Sequence, residues 1–377
     1  MRKARQTHGI SAEKRIQMRA SLCATDAVDR QKMGFNPHTG DNIMQKNIIR
    51  QPMKVGLFLT TMCCALSASA WEPTKPVELV VPFSAGGASD QMARSIQGII
   101  TKHNLMKQPI IVQNKAGASG AEGLLDLKAS KGDPNKIIVA SSSIYTTPLA
   151  TNLPFNWKDL TPIAMIAQDA FVLWTNTQAG YKTPMAYIDD VKKKPETFKM
   201  GGTSSKREDH MITMMIEKQT GAKFLYIPYK GGGEAATQLS GNHINSDTNN
   251  PSESVSQWRA GEHQALCVFS DKRISYTAKV TATQGWSDIP TCKEQGLNVS
   301  YEMLRIFMMP GGVKPEQTQF YVDLLQKVVS TPEWKTYLEK NALKPEFVTG
   351  AQLNAFLTKD EQLHREIMKD AGFILTK

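Results

Sequence analysis

Three glycine-containing runs carry the residues best suited to holding an anion. They are P-F-S-A-G-G-A-S-D at 82–90, G-G-T-S-S-K-R-E-D-H at 201–210 and Y-K-G-G-G-E at 229–234. Glycine lets backbone N–H groups come close to a ligand, and a Ser, Thr or Asp that follows starts a helix whose first N–H groups lack acceptors. Such a turn holds a carboxylate without a dedicated cation, although glycine turns also serve merely to redirect a chain. The hydroxyls of Ser84, Ser142, Thr203, Ser204 and Ser205 and the amides of Asn249 and Asn250 are candidate donors. Phe83, Tyr145 and Tyr229 are candidate walls for the apolar part of a ligand, and Lys230 is a candidate counter-ion. Each has a plainer alternative, as core packing or a solvated charge. Asp90 and Asp209 stand where a carboxylate normally caps a helix rather than acting as a general base.

Catalytic patterns are missing from the sequence. It contains no G-x-S-x-G elbow, no H-E-x-x-H, no P-loop lysine signature and no C-x-x-C. The seven histidines are scattered, and only His210 adjoins a candidate loop, where a solvated first-turn histidine is the simpler reading. A binding function without cofactor, metal or enzymatic activity is therefore expected.

The elements that position these loops alternate. Val77–Val81, 109–113 and 136–141 are short apolar runs that read as strands, each followed by a Gly- or Ser-rich turn and, after the first two, a helical pattern. The design repeats after 198, with strands at 198–200, 224–228 and 265–269. Helical patterning closes the chain at 315–329, 333–343 and 350–372. Alternation of this kind implies parallel sheets with ligands at the C-terminal strand ends. Two such α/β segments imply two lobes facing a cleft, linked by runs at 170–176 and 299–309.

The net charge of +10 does not indicate nucleic acid. Residues 1–70 hold 11 Lys/Arg against 4 Asp/Glu, so most of the excess lies outside the main body. Met53-Lys54, the apolar run 55–66 and Ala68-Ser69-Ala70 form a secretory signal peptide with cleavage expected after Ala70. Residues 1–52 then read as a disordered upstream extension that precedes the true start. Cys267 and Cys292 are the two cysteines left in the mature chain. Their placement permits a disulfide in an oxidising compartment, while Cys267, in an apolar strand, equally suits core packing.

P-F-S-A-G-G-A-S-D resembles the P-F-x-x-G-G-x-x-D signature of the tricarboxylate-transporter solute receptors, the TctC or Bug family. Asn114–Gly120, Pro154–Ile163, the 201–209 loop, P-Y-K-G-G-G-E at 228–234 and D-I-P-T at 288–291 resemble the family in the same order. The resemblance implies an α/β, type II periplasmic-binding-protein fold of two Rossmann-like lobes, 71–173 with 301–377 and 174–300, joined by a two-strand crossover. It further implies closure around a carboxylated solute and delivery to the permease subunits of a tripartite tricarboxylate transporter, by a monomer. A ligand-dependent sensor docking on a signalling domain is the alternative. Carried over residue by residue, the ligand contacts are Phe83, Ser84, Gly87, Ala88 and Asp90 in one lobe and Thr203, Ser204 and Ser205 in the other. Ser142, Tyr145, Asp209, Lys230 and Asn249 complete the candidate set. Ser84-Ala85 and the S-S-K-R-E-D run depart from the commonest family pattern. Tyr145 and the second loop favour a larger or aromatic dicarboxylate over a small amino acid.

Overall fold

Apolar strands buried on both faces build the centre of each lobe. The computed structural model describes residues 71–375, so the expected upstream extension and signal peptide lie outside the described residues. The chain begins β1 (Val77–Val81), α1 (Ala88–Lys102), β2 (Ile110–Asn114), α2 (Ala121–Ala129), β3 (Lys136–Ala140), α3 (Ser143–Thr151) and β4 (Leu160–Ala170). Val77, Leu79 and Val81 of β1 enter one core cluster and Val80 the opposite one, which is why this strand is a continuous apolar run. Met92, Ala93, Ile96, Ile99 and Ile100 bury one face of α1 against the first of these clusters.

A single residue, Phe171, then separates β4 from β5 (Val172–Asn176). The second set of elements follows: α4 (Pro184–Lys193), β6 (Lys199–Thr203), α5 (Glu208–Thr220), β7 (Leu225–Tyr229), α6 (Gly232–Ser240), β8 (Ser246–Asn249), α7 (Pro251–Arg259) and β9 (His263–Val268). The chain returns through β10 (Glu302–Pro310) and ends with α8 (Pro315–Val329), α9 (Pro332–Lys340), β11 (Lys344–Thr349) and α10 (Gly350–Asp370). The strands form a six-stranded sheet, ordered β11-β4-β10-β3-β1-β2, and a five-stranded sheet, ordered β7-β6-β8-β5-β9. The pairs β1–β2, β1–β3, β6–β7 and β6–β8 are parallel, whereas β10 runs antiparallel between β3 and β4. The result is the two-lobed α/β architecture.

Three passages of chain meet at the waist. The Phe269 N–H donates to the Phe171 carbonyl at 2.8 Å, and the Tyr301 N–H donates to the Phe269 carbonyl at 2.9 Å.

Several elements differ from expectation. β11 is an edge strand beside β4, hidden in the sequence by Pro345, which an edge position tolerates. Helices α3 and α4 were not anticipated; α3 contains Pro148 and a run of hydroxyl residues. The last helix does not finish the first lobe alone. Leu353 and Leu357 of α10 pack in the first lobe, while Met368 and the following Phe373 enter the core of the second. Gly201 and Gly202 lie inside β6 rather than in a loop. A Cβ on Gly202 would stand 2.5 Å from the Asp209 Cβ and 2.6 Å from the Tyr226 hydroxyl, so the bare backbone there lets α5 and β7 close on β6.

Cys267 and Cys292 are bonded, with Cα atoms 4.8 Å apart. The segment after Pro290 runs alongside β9, and the Cys292 N–H donates to the Val268 carbonyl at 2.9 Å, which brings the second cysteine to the first. Cys267 thus fills the core and is crosslinked at once. The paired substitution Cys267→Ala with Cys292→Ala should lower unfolding free energy by about 2–4 kcal/mol in denaturant titration. An unchanged midpoint would mean that the bond does not constrain the chain.

Candidate ligand-binding cleft

A cavity of about 330 Å³ lies between the loops that follow β1, β3, β6, β7 and β8, with Phe171 at the waist and Met303 and Arg305 of β10 completing the wall. Both lobes contribute. Phe83, Ser84, Gly87, Ala88, Thr203, Lys230 and Asn250, all expected from sequence, line it.

The remaining candidates stand behind the wall. Asp90 accepts from the Gly86 N–H at 2.9 Å, Arg94 Nε at 3.0 Å and Asn114 Nδ2 at 3.0 Å, so it fastens the first loop from the rear. Burial pushes its carboxyl up, but Arg94, the Gly86 N–H and Asn114 together hold it below the usual range. Ser142 accepts from the Tyr301 hydroxyl at 3.4 Å, and the buried Tyr145 ring lies 5.3 Å from that of His364. Ser141 takes the wall position instead, and its hydroxyl donates to Glu208 Oε1 at 3.2 Å across the lobes.

In the second loop Ser205 is exposed away from the cavity, and the Ser204 carbonyl accepts from the Tyr226 hydroxyl at 2.9 Å. Asp209 is fully enclosed; burial, then the charges of Glu253 and Glu208, push its carboxyl well up, against hydrogen bonds from its own N–H and that of Thr203. The start of α5 is therefore filled by the chain's own acids. Asn249 donates to the Gly232 carbonyl at 2.9 Å and props the start of α6. The start of α6 also enters the wall, with Gly231 and Gly233, beside Arg207 and Glu208 at the start of α5.

Five charged residues in the wall, Arg207, Glu208, Glu234, Glu253 and Arg305, were not singled out as site residues in the sequence. Arg207 is buried with its guanidinium 4.8 Å from the Phe83 ring centre; Nε donates to Glu208 Oε2 at 3.3 Å and Nη1 to the Ser119 carbonyl at 3.3 Å. Arg207 and Glu208 thereby tie the second lobe to the first. Arg305 is paired with Asp169 through Nε and Nη2, and its Nη1 donates to Ser89 Oγ at 2.8 Å. The clue to Arg305 was a charge inside the apolar run 303–309 of β10, which must be paired or functional. Glu253 carried no such clue, because an acid in the first turn of α7 looks like an ordinary cap.

Glu253 lies at the meeting point of two helix starts. Its Oε1 is 3.8 Å from where a Cβ on Gly87 would sit, and its Oε2 is 2.1 Å from the same position on Gly232. Hence close approach demands glycine at 232, whereas Gly87 has room for a methyl group. Burial pushes the Glu253 carboxyl up to about 7; Arg305 and the N–H groups of Ala88 and Gly232 oppose the shift, and Asp169 adds to it.

The family model described as "Tripartite tricarboxylate transporter family receptor" (TctC) matches residues 92–373. The chain belongs to this family. Its members are periplasmic solute-binding receptors. Protein BugT of Bordetella pertussis is 28% identical to this receptor over 339 residues, spanning 86% of this chain and 98% of BugT. A crystal structure of a TctC solute-binding protein from Polaromonas is 26% identical with a TM-score of 0.61, covering 79% of this chain and 99% of that one. The R. palustris protein Rpa4515, solved with adipate, is 21% identical with a TM-score of 0.73, covers 80% and 98%, and is similar in fold.

The raised Glu253 pKa gives a signed prediction. Folding moves the carboxyl from 4.5 to about 7, so the folded receptor keeps a proton that the unfolded chain releases. Stability from this group is complete below 4.5 and is lost as pH rises through about 7. Glu253→Gln lacks the effect, so its unfolding free energy should gain on the parent between about pH 5 and 8, by up to about 3 kcal/mol, with a matching rise in relative melting temperature. A difference constant across that range, read by thermal unfolding, would contradict the assignment.

Proposed function

We propose that this receptor captures a carboxylated small molecule between its lobes and delivers it to the membrane permease of a tripartite tricarboxylate transporter. Export by the 53–70 segment, with cleavage after Ala70, would place it in the periplasm, where it needs no catalytic activity. The observation that carries the reading is Arg207, a buried guanidinium at the cavity wall that spans both lobes. Its Nη2 and the Lys230 ammonium have no protein acceptor among the described residues, so each can meet a carboxylate oxygen. Phe83, Ser84, Gly87, Ala88 and Thr203 surround the same space, with aromatic surface for the ligand's carbon skeleton and N–H and hydroxyl groups for its oxygens. Family membership supports this class of solute, as does the adipate bound by the R. palustris protein of similar fold.

The test is a thermal-shift screen across mono-, di- and tricarboxylates, aromatic acids and amino acids. A true ligand at a hundredfold excess over its Kd should stabilise the receptor by roughly 2.7 kcal/mol. Arg207→Gln should keep the circular dichroism spectrum and lose about tenfold or more in affinity, because one strong charge-assisted contact disappears. Unchanged affinity in the variant would remove Arg207 from the site, and a flat screen would count against the function.

A further inference from the structure

We propose that Glu253 determines specificity in this cleft, and that the ligand it selects carries a protonated amine in addition to its carboxylate. The inference rests on reading the cavity as the ligand site and goes on to name the solute's second functional group.

The starts of α1 and α6, one from each lobe, are the places where a ligand's carboxylate would find unpaired N–H groups. The chain has put a carboxylate of its own there. Glu253 reaches from α7 with one oxygen toward Gly87 and the other against Gly232, and it lines the cavity. A second carboxylate placed beside it meets like charge where water is scarce, whereas an ammonium meets an acceptor.

The other charges around the cavity agree. Arg207, Lys230 and Arg305 are balanced by Glu208, Glu234 and Glu253. Arg305 is already engaged by Asp169 and Ser89, and Arg207 in part by Glu208. With Glu253 ionised, the wall carries no surplus positive charge to offset a second ligand carboxylate. An amphoteric acid fits, with its carboxylate toward Arg207 and Lys230 and its nitrogen toward Glu253. Phe83, Phe171 and Met303 cover the span between. The leaning toward an aromatic dicarboxylate, taken from Tyr145, gives way because Tyr145 does not reach the cavity.

Charged and titratable groups face Glu253 from four elements: Arg305 from β10, Asp169 from β4, Asp209 from α5 and Asp247 from β8. Burial pushes the Asp209 and Asp247 carboxyls well up, and Arg305 is the cation that opposes the same effect at Glu253.

The experiment uses matched pairs of probes in isothermal titration calorimetry: 6-aminohexanoate against adipate, and 4-(aminomethyl)benzoate against terephthalate. At about pH 8, where Glu253 is ionised, the amine member of at least one pair should bind about tenfold or more tightly than its dicarboxylate. Glu253→Gln should reverse that order while melting cooperatively. Lowering the pH to about 6 should weaken amine binding in the parent and leave the variant unchanged. A parent that prefers the dicarboxylate, with the same preference in Glu253→Gln, overturns the inference and leaves the proposed function standing. Binding of no probe from either series overturns the inference, and the wider carboxylate screen then decides the proposed function.

Discussion

A guanidinium and two carboxylates share a volume at the base of the cleft from which most water is excluded. Arg305 and Asp169 are 2% and 1% exposed, and removing both charges from water costs several kcal/mol per ion before their attraction is counted. The pair is held by the hydrogen bonds that engage the guanidinium. Two guanidinium nitrogens serve Asp169, and the third reaches Ser89 in the first turn of α1. Burial nevertheless pushes the Asp169 carboxyl above its usual range, although Arg305 opposes the shift. Glu253 completes the group from the other lobe, beside the same guanidinium and two sets of backbone N–H groups.

That arrangement explains why the lobes meet where they do. β4 and β10, which carry Asp169 and Arg305, lead directly to the waist at Phe171 and Tyr301. The ion pair is thus seated on the two strands whose ends must bend if the lobes move apart. Contacts across the cleft are polar: Ser141 to Glu208, Arg207 to Ser119, and Asn250 of the second lobe to the Ala170 carbonyl at 3.0 Å. Polar contacts of this kind lose little when water replaces them, so they would let the two surfaces part at small cost. The α10 helix, seated in both cores, sets the opposite edge.

The first lobe was largely legible because its signals are local. An apolar run, a glycine turn and an amphipathic helix each reveal themselves within a few residues; Phe83 and Ser84 were candidates from the turn itself, while Gly87 and Ala88 came from the family resemblance. Lobe pairing was legible from the repetition of that unit. The second lobe misled because its double glycine looks the same whether it shapes a loop or lets a helix approach a strand; at 201–202 it does the latter. Asp209 and Asn249 were read as ligand contacts although both serve the interior, since a buried acid and a surface acid at a helix start have the same sequence. Arg207 sat in view within the second loop, but its place over Phe83 depends on a contact between residues 124 positions apart. Glu253 belongs to the same class: its meaning comes wholly from the approach of Gly87 and Gly232.

The central claim is that one side-chain carboxylate, on α7, lies against the helix starts of both lobes. Backbone amide resonances of Ala88 and Gly232, followed by ¹⁵N NMR across a pH titration, test it directly. The account predicts that both amides titrate together, with a common midpoint at about 7, and that both titrations vanish when Glu253 is replaced by Gln. Amides that stay flat, or that titrate with separate midpoints in the absence of the carboxylate, would contradict it.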